Sequence, residues 1–180
     1  YEFGINTGLI GVGQNGSGGV AEDYTVNFNA SVVSLDYKTG MAVYGFYRDR
    51  EPFDANDDTF SEISSLKNTT VGTRVFHRFN AKSKIALDFF NIKEDRRGGD
   101  KHESLNHEAN ISEAVEHDIT TGAISYDQFI NSTSKLNIFA SGQRVHRDSY
   151  YGANQSLKDY GFTKDFSYTV GAQYNATLGN

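Results

Sequence analysis

The 180-residue sequence contains no cysteine, no tryptophan, a single proline and no long apolar run. The absence of cysteine excludes disulfides, zinc–thiolate sites and cysteine nucleophiles. No stretch approaches the roughly 18 consecutive apolar residues that a transmembrane helix needs. The 17 Lys and Arg residues are outnumbered by 23 Asp and Glu and form no sustained basic stripe, so nucleic acid is not an expected partner.

Aromatic residues and glycine are abundant instead. There are 13 Phe, 11 Tyr and 18 Gly, while apolar residues make up only 37% of the chain, which is low for a soluble globular domain. Low average hydrophobicity combined with many aromatics is typical of strands in which every second residue is polar. It argues against disorder, because disordered chains are poor in aromatics.

One hairpin, residues 68–100, shows this pattern most clearly. Two long runs flank a short polar turn at residues 80–83. In the second run Ile85, Leu87 and Phe89 alternate with polar or small residues, and a period of two predicts a strand with one apolar and one polar face. The run at 82–96 exceeds the usual five or six residues of a strand and provides the roughly 9–11 tilted residues of a membrane-spanning barrel strand.

The rest of the chain repeats this unit. Besides the two arms of the hairpin, strands are predicted at residues 1–10, 24–35, 41–48, 114–130, 135–147 and 163–174. Long connections are predicted at 11–23, 49–66, 97–113 and 148–162, and short turns at 36–40, 80–83, 131–134 and from 175 onwards.

Long and short connections therefore alternate along the chain. Successive connections of an up-and-down meander lie at opposite ends, so all the long loops share one end of the sheet. Transmembrane barrels have this asymmetry, whereas a soluble sandwich has no physical reason to sort its loops by length. The sequence predicts an all-β fold, an antiparallel up-and-down meander of about eight long strands that is part of a larger transmembrane β-barrel.

The alternation alone does not decide which face meets water. The apolar face points inwards in a soluble β-protein and meets lipid in a membrane barrel. Aromatic residues at strand ends favour the membrane, because such residues form girdles at its interfaces, and ordinary hydrophobic strand ends are the alternative. The residues concerned are Phe79, Phe129, Tyr150, Tyr151 and Tyr174.

An acidic segment in the second long connection carries oxygen ligands at alternate positions, as a calcium loop does. The predicted ligands are Asp54, Asn56, Asp58, the Phe60 carbonyl and Glu62. Against this, Thr59 replaces the glycine of the motif and Ser65 replaces its bidentate glutamate. The segment predicts a Ca²⁺ site of weak affinity, about 10⁻⁴–10⁻³ M, with a solvated acidic loop as the alternative.

Two further clusters are candidates for ligand binding. Their residues are Arg96, Arg97, Asp100, Arg147, Tyr150 and Tyr151. The first three lie at the tip of the hairpin, where arginines can meet an anionic ligand or a lipopolysaccharide phosphate, or form an ordinary charged strand end. The last three can offer aromatic stacking to a ligand, pack their own loop, or lie at the membrane interface.

Catalytic patterns are not found in the sequence. The histidines show no helical i, i+4 pair, and neither a nucleophile elbow nor a phosphate-binding loop occurs. We therefore expect that the protein is not an enzyme.

Five segments resemble parts of one protein family. They read NTTVGTRVF, KIALDFFNIKEDRRGGD, AVEHDITTGAISYDQF, VHRDSYYGANQSLKDYG and TKDFSYTVGAQY, and they lie between residues 68 and 174. In this order they resemble the barrel of TonB-dependent receptors of the bacterial outer membrane, especially those of Bacteroidetes-type bacteria. The resemblance implies uptake of a scarce small-molecule ligand, such as a ferric siderophore or cobalamin, with energy from the TonB system. It also implies contact with outer-membrane lipid and lipopolysaccharide.

The resemblance further implies that parts of the receptor lie outside this sequence. In that family a plug domain precedes a 22-stranded barrel. No plug-like or TonB-box-like segment precedes these strands, and residues 176–180 do not form the aromatic-ended strand on which such barrels finish. Residues 1–180 are expected to be a partial receptor barrel from its N-terminal part, without the plug and the remaining strands.

Two other functions stay open. A complete eight-stranded outer-membrane barrel, acting as an adhesin, a structural protein or a lipid-modifying enzyme, predicts pairing between the first and last strands. A soluble carbohydrate-binding β-protein predicts a packed core containing Val26, Phe28, Tyr168 and Val170. The receptor wall predicts a curved open sheet with its apolar residues on the convex face.

Overall fold

The computed structural model describes residues 1–177, which form one antiparallel sheet of eight strands and a short 3₁₀ turn at Asn106–Glu108. The strands are β1 (Glu2–Ile10), β2 (Ala21–Val33), β3 (Thr39–Arg50), β4 (Ser61–Asn80), β5 (Ser83–Gly99), β6 (Ile111–Phe129), β7 (Ser134–Ala153) and β8 (Tyr160–Ala176). Each strand pairs with the next one along the chain, so the predicted all-β meander is confirmed. The turn predicted from residue 175 extends into residues 178–180, which lie outside the described part of the chain.

The connections differ between the two ends of the sheet. The long-loop end carries the connections 11–20, 51–60, 100–110 and 154–159, and the short-turn end carries 34–38, 81–82 and 130–133. The predicted sorting of longer connections to one end is confirmed.

All four long connections are shorter than predicted, and two of them differ most. The sequence predicts a loop up to residue 66 and a strand end at 147, but β4 begins at Ser61 and β7 continues to Ala153. The first extension, SEISSL, is mostly polar, and the second, DSYYGA, carries adjacent tyrosines on opposite faces, so neither shows the apolar alternation of the other strand segments. The ladder forms nevertheless, because its hydrogen bonds join backbone groups whatever the side chains are.

The strand register assigns each residue to one of two faces, because directly paired residues point to the same side of a sheet. The apolar face is the side that carries Phe28, Leu87 and Val170. The polar face is the opposite side, with Asp88 and Thr169 among its residues.

Strand β3 is apolar on both faces. Tyr44 and Phe46 share one face, and the register places it on the polar side of the sheet, opposite asparagines of β2. The apolar face of β3 carries Met41, Val43 and Tyr47 instead. Alternation within a single strand identifies which residues share a face, but only the pairing identifies which face it is.

Large apolar side chains of the sheet are exposed rather than enclosed. Phe28 is 43% exposed, Tyr168 76% and Val170 71%, while Val26 is half-buried. A soluble β-protein encloses such residues between two layers. The packed core that the soluble alternative predicts is therefore absent from residues 1–177.

Strands β1 and β8 form the edges of the sheet. Each has a hydrogen-bonded neighbour on one side only, and within residues 1–177 they do not pair with each other. The pairing predicted by the small-barrel alternative is thus not observed. In the same residues, no helix has both the length and the apolar character needed to cross a membrane.

Aromatic rings cover glycines of neighbouring strands. The ring of Phe28 lies over Gly45 on the apolar face, and that of Tyr44 lies over Gly72 on the polar face. A Cβ atom at Gly72 would overlap the Tyr44 ring, so glycine is required for this close approach. The rings shield backbone that glycine would otherwise leave bare, which stabilises a strand containing glycine.

Candidate functional site

The apolar face carries a continuous band of apolar side chains in the half of the sheet nearer the short-turn end. In β8 this apolar band runs from Phe166 to Tyr174, close to the roughly 9–11 residues of a tilted membrane-spanning strand. In adjoining strands, Leu87, Ile124 and Ile138 belong to the band and are 42% to 49% exposed. An exposed apolar surface of this extent marks an interaction surface.

The same face becomes charged towards the long-loop end. Two adjacent rows of paired residues form these charged rows, namely Lys67, Asp95, Glu116 and Asp148, and Thr69, Lys93, Asp118, His146 and Lys164. Most of these side chains line a shallow groove of about 310 Å³. A boundary between apolar and charged surface therefore crosses the face within the length of single strands.

The aromatic residues predicted to form girdles divide between the two faces. Tyr174 is 61% exposed on the apolar face and Phe79 is 55% exposed, both at the short-turn end, as girdle residues would be. Phe129 and Tyr151 lie on the polar face, so they cannot meet lipid from the apolar side. Tyr150 is wrong as a girdle residue, because it is only 1% exposed and is covered by its own loop.

The loop 51–60 and the start of β4 bring together three of the five predicted calcium ligands. Carboxylate oxygens of Asp54, Asp58 and Glu62 lie within 4.8 Å of one another. Asn56 donates from its side-chain amide to Asp58 at 3.1 Å. Thr59, at the glycine position of the motif, has φ = 76°, so the backbone makes the left-handed turn that glycine favours there.

The Asp54 carboxylate also organises the backbone of this loop. It accepts hydrogen bonds from the N–H groups of residues 56–58 and of Thr59 at 2.7 to 3.3 Å. Desolvation acts to raise the pKa of Asp54, but these N–H donors outweigh it, so the pKa lies below its ordinary value. The Phe60 N–H bonds to Asp58 at 2.9 Å. The loop is shaped by its own hydrogen bonds, and calcium binding stays a prediction.

Two predicted ligand-binding residues hold the loop 100–110 instead. The Arg97 guanidinium donates to three carbonyls of this loop at 2.5 to 2.9 Å. Asp100 is only 2% exposed, and its carboxylate accepts the backbone N–H groups of residues 110 and 111 at 2.8 and 3.1 Å. Desolvation acts to raise the pKa of Asp100, but the hydrogen bonds lower it overall. Both residues therefore stabilise the loop, and their contact with a ligand stays a prediction.

The remaining candidates separate by face. Arg96, Arg147 and Tyr151 lie on the polar face at the long-loop end. Arg147 donates to the Tyr151 hydroxyl at 2.9 Å, and Arg96 forms an ion pair with Glu94 at 3.1 Å. Tyr150 lies on the opposite face, where its ring packs against another tyrosine and its hydroxyl bonds a loop carbonyl. Its ring is therefore engaged within the protein. Three of the six candidates share the polar face, and ligand binding by the six residues stays a prediction.

The structure adds residues that the sequence analysis did not single out. Glu113 pairs directly with Gly98 and Tyr151 on the polar face. With the neighbouring strands β4 and β5 they line an open cleft of about 540 Å³, which we call the rim cavity. Its lining includes Ser61, Glu62, Ser64, Gly98, Glu113 and Tyr151. The alternation of β6 could have placed Glu113 on this face. The predicted strand, however, began one residue later, at 114.

Comparison with protein-family models, with curated proteins and with solved structures finds no match for this chain. The resemblance to TonB-dependent receptors therefore stays a prediction that depends on the segments quoted above. What the coordinates establish independently is the eight-stranded antiparallel meander and the different chemistry of its two faces.

Proposed function

We propose that this chain forms part of the wall of a bacterial outer-membrane β-barrel that imports a scarce small molecule with energy from the TonB system. The apolar band contacts lipid, the charged rows contact lipopolysaccharide head groups, and the polar face lines the interior. The imported molecule is a compound such as a ferric siderophore or cobalamin. TonB acts through a plug that these residues do not include, and the chain catalyses nothing.

The observation that carries the proposal is the apolar band and its sharp boundary. Phe166, Tyr168 and Val170 are 71% to 76% exposed in edge strand β8, and the large band residues of adjoining strands are 42% to 49% exposed. Exposing so wide an apolar surface to water is costly. A bilayer supplies an apolar medium of the height that the band has, and polar head groups where the charged rows begin.

The polar face at the level of the band supports the same orientation. It carries the ion pairs Arg74–Asp88 at 3.6 Å and Lys135–Asp127 at 2.8 Å. Charged side chains at membrane depth are stable when they face a water-filled interior rather than lipid. The two faces therefore fit a wall between hydrocarbon and water.

The membrane orientation can be tested directly, because the chain contains no cysteine and single-cysteine variants can be labelled at one position. Val170→Cys and Thr169→Cys form a matched pair of adjacent, exposed residues on opposite faces. The protein is labelled with an environment-sensitive fluorophore and placed in phosphatidylcholine vesicles that contain brominated lipid. Lipid should quench the label at position 170, while aqueous iodide should quench the label at position 169.

Equal quenching at the two positions, or failure of the protein to associate with the vesicles, would overturn the proposal. Transport is tested separately in the bacterium that carries the gene. Deleting the gene, or removing the TonB complex, should abolish growth on cobalamin or on a ferric siderophore as the limiting nutrient. Growth on both nutrients after either deletion contradicts the uptake function.

A further inference from the structure

The two charged rows of the apolar face differ in the sign of their charge, positive beside the apolar band and negative beyond it. The band-side row carries Lys93 and Lys164. Its one carboxylate, Asp118, accepts a hydrogen bond from the Asn91 side-chain amide at 2.8 Å. The loop-side row lies two residues further along each strand, at a distance of about 6.5 Å. It carries a lysine, Lys67, and three carboxylates on consecutive strands, Asp95, Glu116 and Asp148.

The cations beside the band are free to bind a ligand. Lys93 and Lys164 are exposed, as is Arg144, which pairs directly with the band residue Phe166. Within residues 1–177 these three cationic side chains form no hydrogen bond or ion pair, and the Lys164 ammonium lies 6.0 Å from the centroid of the Phe162 ring. Arginine and lysine bind phosphate, and their long stems let the charged ends reach past apolar surface. Phosphate-binding groups therefore lie where the hydrocarbon layer of the proposed membrane ends.

The carboxylates of the loop-side row are short of cationic partners. Glu116 lies directly between Asp95 and Asp148, and like charges opposite each other in a sheet repel. All three are exposed, and within residues 1–177 no ion pair engages Asp95 or Glu116. Lys67 pairs instead with a carboxylate of β3 at 4.0 Å, and His146 lies 3.7 Å from Asp148. A cationic group across Glu116 and Asp148 would therefore relieve the repulsion.

Residues of both rows line one shallow groove of about 310 Å³, so a single head group can reach the two rows together. Arg144 and Lys164 lie on adjacent strands, as do Glu116 and Asp148, and the backbones of adjacent strands are about 4.8 Å apart. A bare phosphate satisfies only the cations, and a divalent metal ion satisfies only the carboxylates. A phosphate joined by a short linker to an ammonium group, with the phosphate nearer the hydrocarbon, satisfies both.

We propose that the charged rows bind a phosphoethanolamine group on the lipid A of lipopolysaccharide. Arg144 and Lys164 donate to the phosphate oxygens, and Glu116 and Asp148 accept hydrogen bonds from the ammonium. The acyl chains of the same lipid lie on the apolar band, which continues from the site without interruption in β8. This inference rests on the proposed function, which places these rows against lipopolysaccharide, and it adds that the bound head group carries both charges.

Native mass spectrometry of the membrane-extracted protein tests the site in a nonionic detergent with EDTA. The two probes are diphosphoryl lipid A and the same lipid A carrying an added phosphoethanolamine group. The modified lipid should bind about tenfold tighter, because its ammonium gains hydrogen bonds to charged acceptors. Glu116→Gln and Asp148→Asn together should abolish this preference and keep binding of unmodified lipid A within about threefold. Arg144→Gln and Lys164→Gln together should weaken binding of both lipids about tenfold.

Lys158→Gln and Asp165→Asn serve as charge-matched controls and should change neither affinity. Both residues are exposed, but Lys158 lies in the loop 154–159, and Asp165 follows Lys164 in β8 on the polar face.

Equal binding of the two lipids overturns the inference, as does a preference that survives the loss of both carboxylates. Unmodified lipid A that binds as tightly as the modified lipid once Mg²⁺ replaces EDTA overturns it in favour of a bridging metal ion. Phosphatidylethanolamine that competes as well as modified lipid A overturns the assignment to lipopolysaccharide. Lipid quenching at position 170 without the preference would leave the membrane function standing and refute this site alone.

Discussion

On the apolar face, the two halves of the same strands carry opposite chemistry. In β5, Ile85, Leu87 and Phe89 occupy the half near the short turns, and Lys93 and Asp95 occupy the half near the long loops. The backbone ladder is continuous through both halves. Both halves form strand although their side chains differ in polarity. Under the proposed function, the polarity of each half matches the medium that it faces.

The polar face shows no such division. Ion pairs occur on it at the level of the apolar band, as in Arg74–Asp88, and nearer the long loops, as in Arg48–Asp23 at 2.6 Å. Only one side of the sheet therefore changes its chemistry along the strands. That difference is expected of a wall with a layered medium on one side and water on the other.

The largest loss of stability is expected when a charged residue is introduced into the apolar band. Leu87→Arg should destabilise the protein by about 2–4 kcal/mol in phosphatidylcholine vesicles, because the guanidinium would face hydrocarbon. Urea unfolding gives the free energy of unfolding. It is followed by far-UV circular dichroism, because the chain contains no tryptophan for fluorescence. Ala123→Arg, placed on the polar face opposite Asp88, is the matched control and should cost much less. Equal losses in both variants would contradict a lipid-facing band.

The stability of loop 100–110, at the long-loop end, should depend on the buried hydrogen bonds that Asp100 accepts. Asp100→Ala removes the acceptor of the N–H groups at 110 and 111, at a cost on the order of 1.5–3 kcal/mol for bonds to a charged group. Hydrogen exchange of these two amides should accelerate, while amides of the band keep their protection. Faster exchange throughout the sheet would contradict a local role.

Acid should produce the same local effect without a mutation. The pKa of Asp100 lies below its ordinary value of 3.8 in the folded state, so its stabilising contribution is present above that value. The contribution is lost as the pH falls through the lower, folded-state pKa. Amide exchange in loop 100–110 of the Asp100→Ala variant should show no corresponding step.

Ring-over-glycine contacts occur in the half that carries the band and should be sensitive to one added methyl group. Gly72→Ala should cost about 1–3 kcal/mol, because its Cβ would overlap the Tyr44 ring. Gly122→Ala is the control, since a Cβ there meets nothing within 4 Å, and it should be close to neutral. Removing the ring with Tyr44→Ala should relieve most of the cost, as thermal unfolding of the double variant would show.

The calcium prediction concerns the long-loop end alone. With a Kd of about 1 mM, 10 mM Ca²⁺ should stabilise the folded protein by about 1.4 kcal/mol. Glu62→Gln should reduce the increase in Tm, and Mg²⁺ should produce less of it because it demands stricter geometry. An unchanged Tm in 10 mM Ca²⁺ would refute the site.

The smallest effect is expected within the charged rows. Glu116 pairs directly with Asp95 and Asp148, and like charges opposite each other in a sheet repel. Glu116→Gln should therefore stabilise the protein by about 0.2–1 kcal/mol at low ionic strength. The gain should vanish in 1 M NaCl, where charges are screened beyond about 3 Å. A gain that persists in salt would point to packing rather than charge.

Alternation predicted the strands wherever one side of the pattern was apolar, as at Ile85, Leu87 and Phe89. It failed at the extensions from Ser61 and up to Ala153, because the two faces of these segments do not differ enough in polarity to show an alternation. Pairing across the sheet was needed to place Tyr44 on the polar face.

The candidate site was predictable only in part for the same reason. Arg147 and Tyr151 stood out by residue type, and they do share a face. Glu113 was missed because it belongs to the undetected start of β6. The structural role of Asp100 was not predicted, because its hydrogen-bond partners lie ten and eleven positions along the chain, beyond any local pattern.

Every strand bonds only to its neighbours in the chain, and this simple order has an evolutionary consequence. A whole hairpin can be gained or lost by duplication or deletion of one stretch of gene, and only the two strands that flank it change a partner. The number of strands in such a sheet can therefore change in steps of two without altering the hydrogen bonds between the remaining neighbouring strands.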